Sequence, residues 1–359
     1  MSNYVLLSDN KVAFHPGYYI EEYIQETGLT QEDFAKRLGT TPKNISLLIR
    51  GEQSISLDIA SKLSRMIGTS IKYWLNLQNE YDVLISERKM QEELNKEIEI
   101  LKLVDYNYFR DHFNLPDLPR KKEEQVKALR SFLNVSSLSV FENVDLYVRF
   151  RGNANETRAS IIKSNMMVQI ATNIALKKND TPAFDKSKFE KVVDYVLELT
   201  EMNEGFCQEI YDRFYESGVN LILLPNLSGS RINGATKKVN KHIMLMINDR
   251  NHSSDTFWFT LLHEVGHILN GDYGISLQDE NDNEDIINKY AEDKLIPANL
   301  YNDFIHHNDF TISSIKRFAK SINRDPGIIV GRLEKDEIIK YGNKNVEALK
   351  RKYSIDLII

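Results

Sequence analysis

Three side chains in this sequence have the types and spacing for joint chemistry: His263, Glu264 and His267, within "FTLLHEVGHILNG" from Phe259 to Gly271. On a helix, residues four apart project from one face about a turn apart, so both imidazoles can reach one metal ion at about 2.0–2.1 Å. Glu264 is displaced around the helix, where its carboxylate meets metal-bound water rather than the metal. This is the H-E-x-x-H pattern, with two histidines on zinc and the glutamate as general base of peptide hydrolysis. Two histidines satisfied by hydrogen bonds in an ordinary core helix would leave the same letters. The flanking Phe259, Leu261, Leu262, Val265, Ile268 and Leu269 favour the metal, because a ligand helix needs an apolar surround.

A catalytic zinc site takes a third protein ligand and keeps one position for water. Cys207 is the single cysteine, which excludes a Cys-rich site. No histidine follows at short interval in "ILNGDYGISLQDENDNEDIINKYAEDKLIPANL", so the third ligand is expected among Glu280, Glu284 and Glu292. Glu284 fits best. Asn288 lies four residues on, on the same helical face, where it can accept a hydrogen bond from a ligand histidine and fix its tautomer and ring angle. His242, His252, His306 and His307 are available to stabilise an oxyanion, although surface histidine is the simpler reading of each. The strand "HIMLMIN" is expected to lie along an extended substrate and pair with its backbone.

These residues require a helix through Phe259–Gly271, a second from Asp282 to Leu295, and strands beside them. "GVNLILLPNL" and "KHIMLMIND" are short, β-rich and bounded by turn residues, and "VDLYVRFRG" from Val144 to Gly152 is a further strand candidate. The expected fold is therefore multidomain and predominantly helical: an all-α module followed by an α+β domain. The divisions expected are 1–82 for a helical module, 83–125 for a helical linker, 126–202 for a mainly helical connection and 203–359 for the domain with the histidines. A chain of 359 residues, 42% apolar and 27% charged, has room for two or three such cores. A net charge of -6 gives no global basic field. The single cysteine, the lack of a signal-peptide pattern in "MSNYVLLSDNKVAF" and the absence of a long apolar run point to the cytoplasm and away from a membrane.

The first module reads "LTQEDFAKRLGTTPKNISLLIRGEQSISLDIASKLSRMIGTSIKYWLNLQ" from Leu29 to Gln78. Thr30 is placed to cap a helix whose inward face is Phe34, Ala35 and Leu38, and Gly39 to end it. Thr41-Pro42 starts the next helix, with Ile45 and Leu48 inward. That leaves Lys43, Asn44, Ser46 and Arg50 outward, with Thr41 at the helix start, as candidate contacts to base edges and phosphates. Two helices joined by a Gly-bearing turn form the unit whose second helix enters the major groove of double-stranded DNA, normally as a homodimer on two half-sites. The echo "FAKSINRDPGIIVGR" from Phe318 has little polar surface to read bases and is expected to pack instead.

On these motifs the N-terminal stretch, with "HPGYYIEEYIQETGLTQ" before it and "YWLNLQNEYD" after it, resembles the XRE family of helix-turn-helix repressors, nearest to its HigA-type antitoxin branch. "FWFTLLHEVGHILNGD" followed by "EDIINKYAEDKLIP" resembles the ImmA/IrrE metallopeptidases, whose second motif usually reads Glu-x-Glu-Ala-Asn-x-Phe-Ala and then Leu-Leu-Met-Pro. Glu284, Asn288, Tyr290, Ala291, Leu295, Ile296 and Pro297 keep that register; Ile286, Ile287 and Lys294 depart from it. The resemblance implies a gluzincin-like zinc endopeptidase with Zn2+ on His263, His267 and Glu284, and Glu264 as general base. Its substrate would be a regulatory protein such as a repressor or toxin–antitoxin component. It equally implies an alternative: a HigA-like antitoxin or autorepressor that binds its operator and a cognate toxin, with the peptidase fold as a sensing or interaction domain. The acid-rich "SLQDENDNED" segment could keep activity latent until a signal arrives.

Overall fold

The computed structural model describes residues 5–8, 11–143, 157–202, 204–248, 253–271, 273, 275–277 and 282–353, with the backbone alone at 5–8, 11, 275–277 and 282–284. The strand expected at 144–152 lies outside these residues. The chain separates into two compact units, residues 1–96 and 97–359.

Unit 1 begins with an antiparallel pair not anticipated from the sequence, β1 (Val5–Ser8) and β2 (Lys11–Phe14). Four short helices follow: α1 (Pro16–Thr27), α2 (Gln31–Leu38), α3 (Pro42–Ile49) and α4 (Leu57–Ile67). Local chemistry sets their ends. Thr30 Oγ1 accepts from the Asp33 N–H to cap α2, and Gly39 leaves it in the left-handed conformation at φ 71°. Thr41 Oγ1 accepts from the Asn44 N–H, with Pro42 opening α3. Ile20, Phe34, Ala35, Ile45, Leu48, Leu63 and Trp74 make the core of this unit. Gly17 allows α1 to approach α3, since a Cβ there would stand 1.8 Å from the Leu48 carbonyl oxygen. The boundary between the units falls within α5 (Ile71–Leu101). Trp74, Gln78, Tyr81 and Leu84 of that helix are buried, as are Leu94, Glu97, Ile100 and Leu101, whereas every residue from 86 to 93 is exposed.

Unit 2 continues with α6 (Tyr106–Phe113), α7 (Lys122–Leu133), α8 (Arg158–Lys177), α9 (Lys186–Val196) and α10 (Phe206–Glu216). A four-stranded sheet follows, formed by β3 (Val219–Leu224), β4 (Ile232–Val239), β5 (His242–Asn248) and β6 (Ile275–Leu277) in the order β3-β5-β4-β6. β3 runs parallel to β5, and β4 is antiparallel to both β5 and β6. β3 and β5 are buried along their whole length, as expected of continuous apolar strands covered on both faces. The chain then forms α11 (Ser254–Asn270), α12 (Asp282–Leu295), α13 (Ala298–His306), α14 (Ile312–Ser321) and α15 (Pro326–Lys335).

α11 lies at the centre of this unit. It packs on β4 and β5, on α12 and on α15, and its Trp258, Leu261, Leu262, Val265 and Ile268 share one core with Leu221, Leu223, Leu245 and Ile247 of the sheet. The sequence echo at Phe318 is a packing corner. Asp325 caps α15 and Pro326 opens it, and Ile328, Ile329, Val330 and Leu333 are buried there.

One expectation is overturned here. β5, the strand "HIMLMIN", has a neighbour on each side, β3 and β4, so both edges of its backbone are already paired and no substrate strand can add to it.

Candidate metal centre and nucleic-acid interface

α11 carries His263 and His267 into the core of unit 2, where they are 7% and 4% exposed. Their Nε2 atoms converge to 3.1 Å, with ring centroids 4.8 Å apart. Nδ1 of His263 lies 3.0 Å from Oδ1 of Asn288 on α12. An amide oxygen only accepts, so Nδ1 carries the proton and the Nε2 lone pair is directed toward His267. Two ligand nitrogens on a tetrahedral ion at 2.0–2.1 Å are separated by about 3.3–3.4 Å. The observed pair is close to that spacing and built of the donor type zinc prefers. The residues present therefore fit the ion.

α12 reaches His263 because Gly266 sits in the middle of α11. A Cβ there would lie 3.0–3.1 Å from Tyr290 Cδ1 and Ile287 Cγ2. Glycine inside a helix costs roughly 1 kcal/mol relative to alanine, so its presence reflects this close crossing. Ile287, which departs from the family motif, is buried at that contact, whereas Ile286 is 67% exposed. Both departures touch packing or solvent.

Of the three carboxylates weighed as third ligand, Glu292 is committed elsewhere. Its oxygens pair with Arg332 at 3.0 Å and with Lys335. Glu280 and the side chain of Glu284 lie outside the described residues, although the backbone places Glu284 on α12 one turn before Asn288. Among the described residues no group of three His, Cys, Asp or Glu side chains could hold a metal.

Glu264 is fully buried on α11. Its neighbour across the helix–sheet contact is Gly234 of β4, where a Cβ would stand 2.5 Å from Oε1 and 2.6 Å from Cγ of Glu264. The sequence reading missed Gly234; an isolated glycine inside a strand marks close approach, but "INGATKKV" does not announce itself as a strand. His242 is buried at the start of β5, and burial lowers its pKa. His306 and His307 are exposed at the end of α13, each with Nδ1 donating to a carbonyl of its own helix. His252 lies outside the described residues, as do residues 278–281 of "SLQDENDNED" and the side chains of 276, 277 and 282–284.

In unit 1, α3 turns Ile45, Leu48 and Ile49 into the core and leaves Thr41, Lys43 and Arg50 exposed, with Asn44 and Ser46 half-buried. The outward residues are already in contact with one another. Asn44 Nδ2 donates to Thr40 Oγ1 at 2.8 Å, and Arg50 donates to Ser46 Oγ at 2.6 Å and to both Glu52 oxygens at 2.8 and 3.1 Å. Glu52, unremarked in the sequence, holds the Arg50 guanidinium, and its carboxyl is kept below the usual carboxylate range by that bond.

The model described as "Helix-turn-helix" matches residues 20–74, and the peptidase M78 model described as "IrrE N-terminal-like domain" matches residues 223–299. Virulence-associated protein I of Dichelobacter nodosus is 36% identical over 80 residues, spanning 22% of this chain and 74% of its own. The HTH-type transcriptional regulator YddM of Escherichia coli K12 is 35% identical over 80 residues, 22% of this chain and 85% of its own. The chain belongs to the helix-turn-helix family. A third relative, Antitoxin HigA-1 of Vibrio cholerae, is 29% identical over 72 residues, 20% of this chain and 68% of its own. Each of these likenesses covers about a fifth of this chain. Behind the helix-turn-helix module the chain carries the IrrE-like domain, with all of α11 and α12 inside the matched residues. Among the described residues no helix is long and apolar enough to cross a membrane.

Proposed function

We propose that this chain is a cytoplasmic DNA-binding regulator fused to a zinc endopeptidase that cuts a regulatory protein, such as a repressor or toxin–antitoxin component. The observation that carries the enzymatic half is the convergence of the two Nε2 atoms at 3.1 Å, with His263 fixed by Asn288, inside a domain of peptidase type. In this reading His263, His267 and Glu284 hold the ion. Zinc, when bound there, supplies a polarised water and a Lewis acid for the scissile carbonyl. Glu264 takes a proton from the attacking water and returns it to the leaving amide nitrogen, so that a neutral amine departs.

The DNA-reading half rests on α3. Lys43 and Arg50 meet phosphates and Asn44 and Ser46 meet base edges, with Thr41 at the helix start and two copies of the chain on adjacent half-sites. Arg50 exchanges Glu52 for phosphate on binding. The module assigned to this task is residues 1–82, with 83–125 as linker, 126–202 as connection and 203–359 as peptidase domain.

The test is hydrolysis of a mixed peptide library, read by mass spectrometry, with the zinc-loaded chain and its Glu264→Gln variant. The expected outcome is cleavage by the native chain and none by the variant, with equal zinc in both. An unimpaired variant contradicts the proposed base.

The likeness to Antitoxin HigA-1 favours a second reading, in which the chain represses its own operator and binds a toxin through the C-terminal domain. A small toxin encoded beside it that co-purifies in stoichiometric amount, together with no library cleavage, would select this reading.

A further inference from the structure

We infer that Gly234 is a positioning residue for the Glu264 carboxylate: strand β4, as well as the helix that bears the glutamate, sets where the proton acceptor sits. The inference rests on the hydrolytic reading for its consequence in catalysis, but not for the contact itself.

Gly234 pairs with Ile247 of β5, whose side chain belongs to the core around α11, so position 234 points to the same face of the sheet. A Cβ there would lie 2.5 Å from Oε1, 2.6 Å from Cγ and 2.8 Å from Cδ of Glu264. Three atoms of one side chain thus occupy the volume that any other residue would claim. The collision cannot be relieved by swinging a flexible end away, because Cγ and Cδ are included and Glu264 is fully buried. Nor does a left-handed backbone require glycine at 234; the residues of unit 2 with positive φ are others, such as Gly218 at 82° and Gly229 at 83°. The register shift between Ile232 and Gly234 on the β6 side adds a local bend where the strand passes over the carboxylate. Glycine at 234 is therefore explained by the side chain it accommodates. Gly266 makes a useful contrast: its close neighbours are Tyr290 and Ile287, not Glu264.

A double-mutant cycle in thermal stability reads the contact without any assay of activity. Gly234→Ala is expected to lower Tm by several degrees in the native background and to have little effect in Glu264→Ala, where the three crowding atoms are gone. Gly266→Ala serves as control and is expected to lower Tm equally in both. If Gly234→Ala does not fold alone, recovery of folding in the double variant makes the same point. An equal loss in both backgrounds, or no loss in either, overturns the inference. On the best-cleaved library peptide, Gly234→Ala is expected to lower kcat by on the order of a hundredfold with KM and zinc content unchanged. Native kcat in a Gly234→Ala chain with native zinc would refute the positioning role. A native chain that hydrolyses nothing leaves the stability cycle readable, so the two failures are distinguishable.

Discussion

At the residue scale the candidate site is a matter of which nitrogen carries a proton. Asn288 Oδ1 holds the proton on His263 Nδ1 and leaves Nε2 to face His267. Removing that acceptor frees the ring to rotate and to change tautomer. Asn288→Ala is expected to weaken zinc binding about 10–100-fold without unfolding the chain, measured by competition with a chromogenic chelator. Native affinity would show that packing alone orients the ring. The histidines and Glu264 were legible in the sequence because they are adjacent on one helix, where spacing alone fixes direction. Gly234 was not, because its significance depends on a strand brought to it by folding. Glu292 could be set aside only from the structure, since its commitment to Arg332 and Lys335 joins residues some forty positions apart.

At the scale of elements, local chemistry explains what could be read in advance. α2 and α3 announce themselves through Thr30, Gly39 and Thr41-Pro42, and β3 and β5 through unbroken apolar runs. β4 carries glycine, threonine and two lysines, and its place is set by pairing with β5 and not by any pattern of its own. β6 is three residues long and gives no signal. Strand order is not legible from composition either, which is why β5 was expected to pair with a substrate and instead lies between β3 and β4. The start of α1 adds a device that sequence reading passed over. His15 is 1% exposed, and its Nδ1 accepts from the Gly17 N–H at 3.0 Å, so the imidazole must be neutral to cap the helix. Burial lowers its pKa, against the opposing charge of Asp82 and bonds to the Leu48 and Gln53 backbone; the Tyr81 ring packs against it at a steep angle, with ring centroids 5.0 Å apart. A depressed folded value means that the stabilisation is complete above about pH 6.5 and is lost as pH falls through the folded value. His15→Asn keeps a cap acceptor that does not titrate. Its urea midpoint, followed by Trp74 emission in a Trp258→Phe background, is expected to fall less than that of the parent on going below about pH 6.5. An equal fall would place the acid sensitivity elsewhere.

At the scale of the whole molecule, the described residues include one core within residues 20–74 and another within residues 189–353. Residues 86–93 of α5 contribute to neither, and Arg88–Glu92 at 3.1 Å is an exposed i,i+4 pair that adds only a few tenths of a kcal/mol to the helix. With a net charge of -6 the chain has no general attraction for nucleic acid, so the proposed reading assigns operator affinity to the few cations around α3. Lys43→Ala is expected to weaken operator binding and to reduce the slope of log K against log salt by about 1, measured by fluorescence anisotropy at several ionic strengths. An unchanged slope would remove Lys43 from the interface. The claim on which the rest depends is that one divalent ion is held between the rings of His263 and His267. Metal analysis of the purified chain beside His263→Ala tests it most directly: the account predicts one zinc per native chain and none in the variant, and equal metal in both would contradict it.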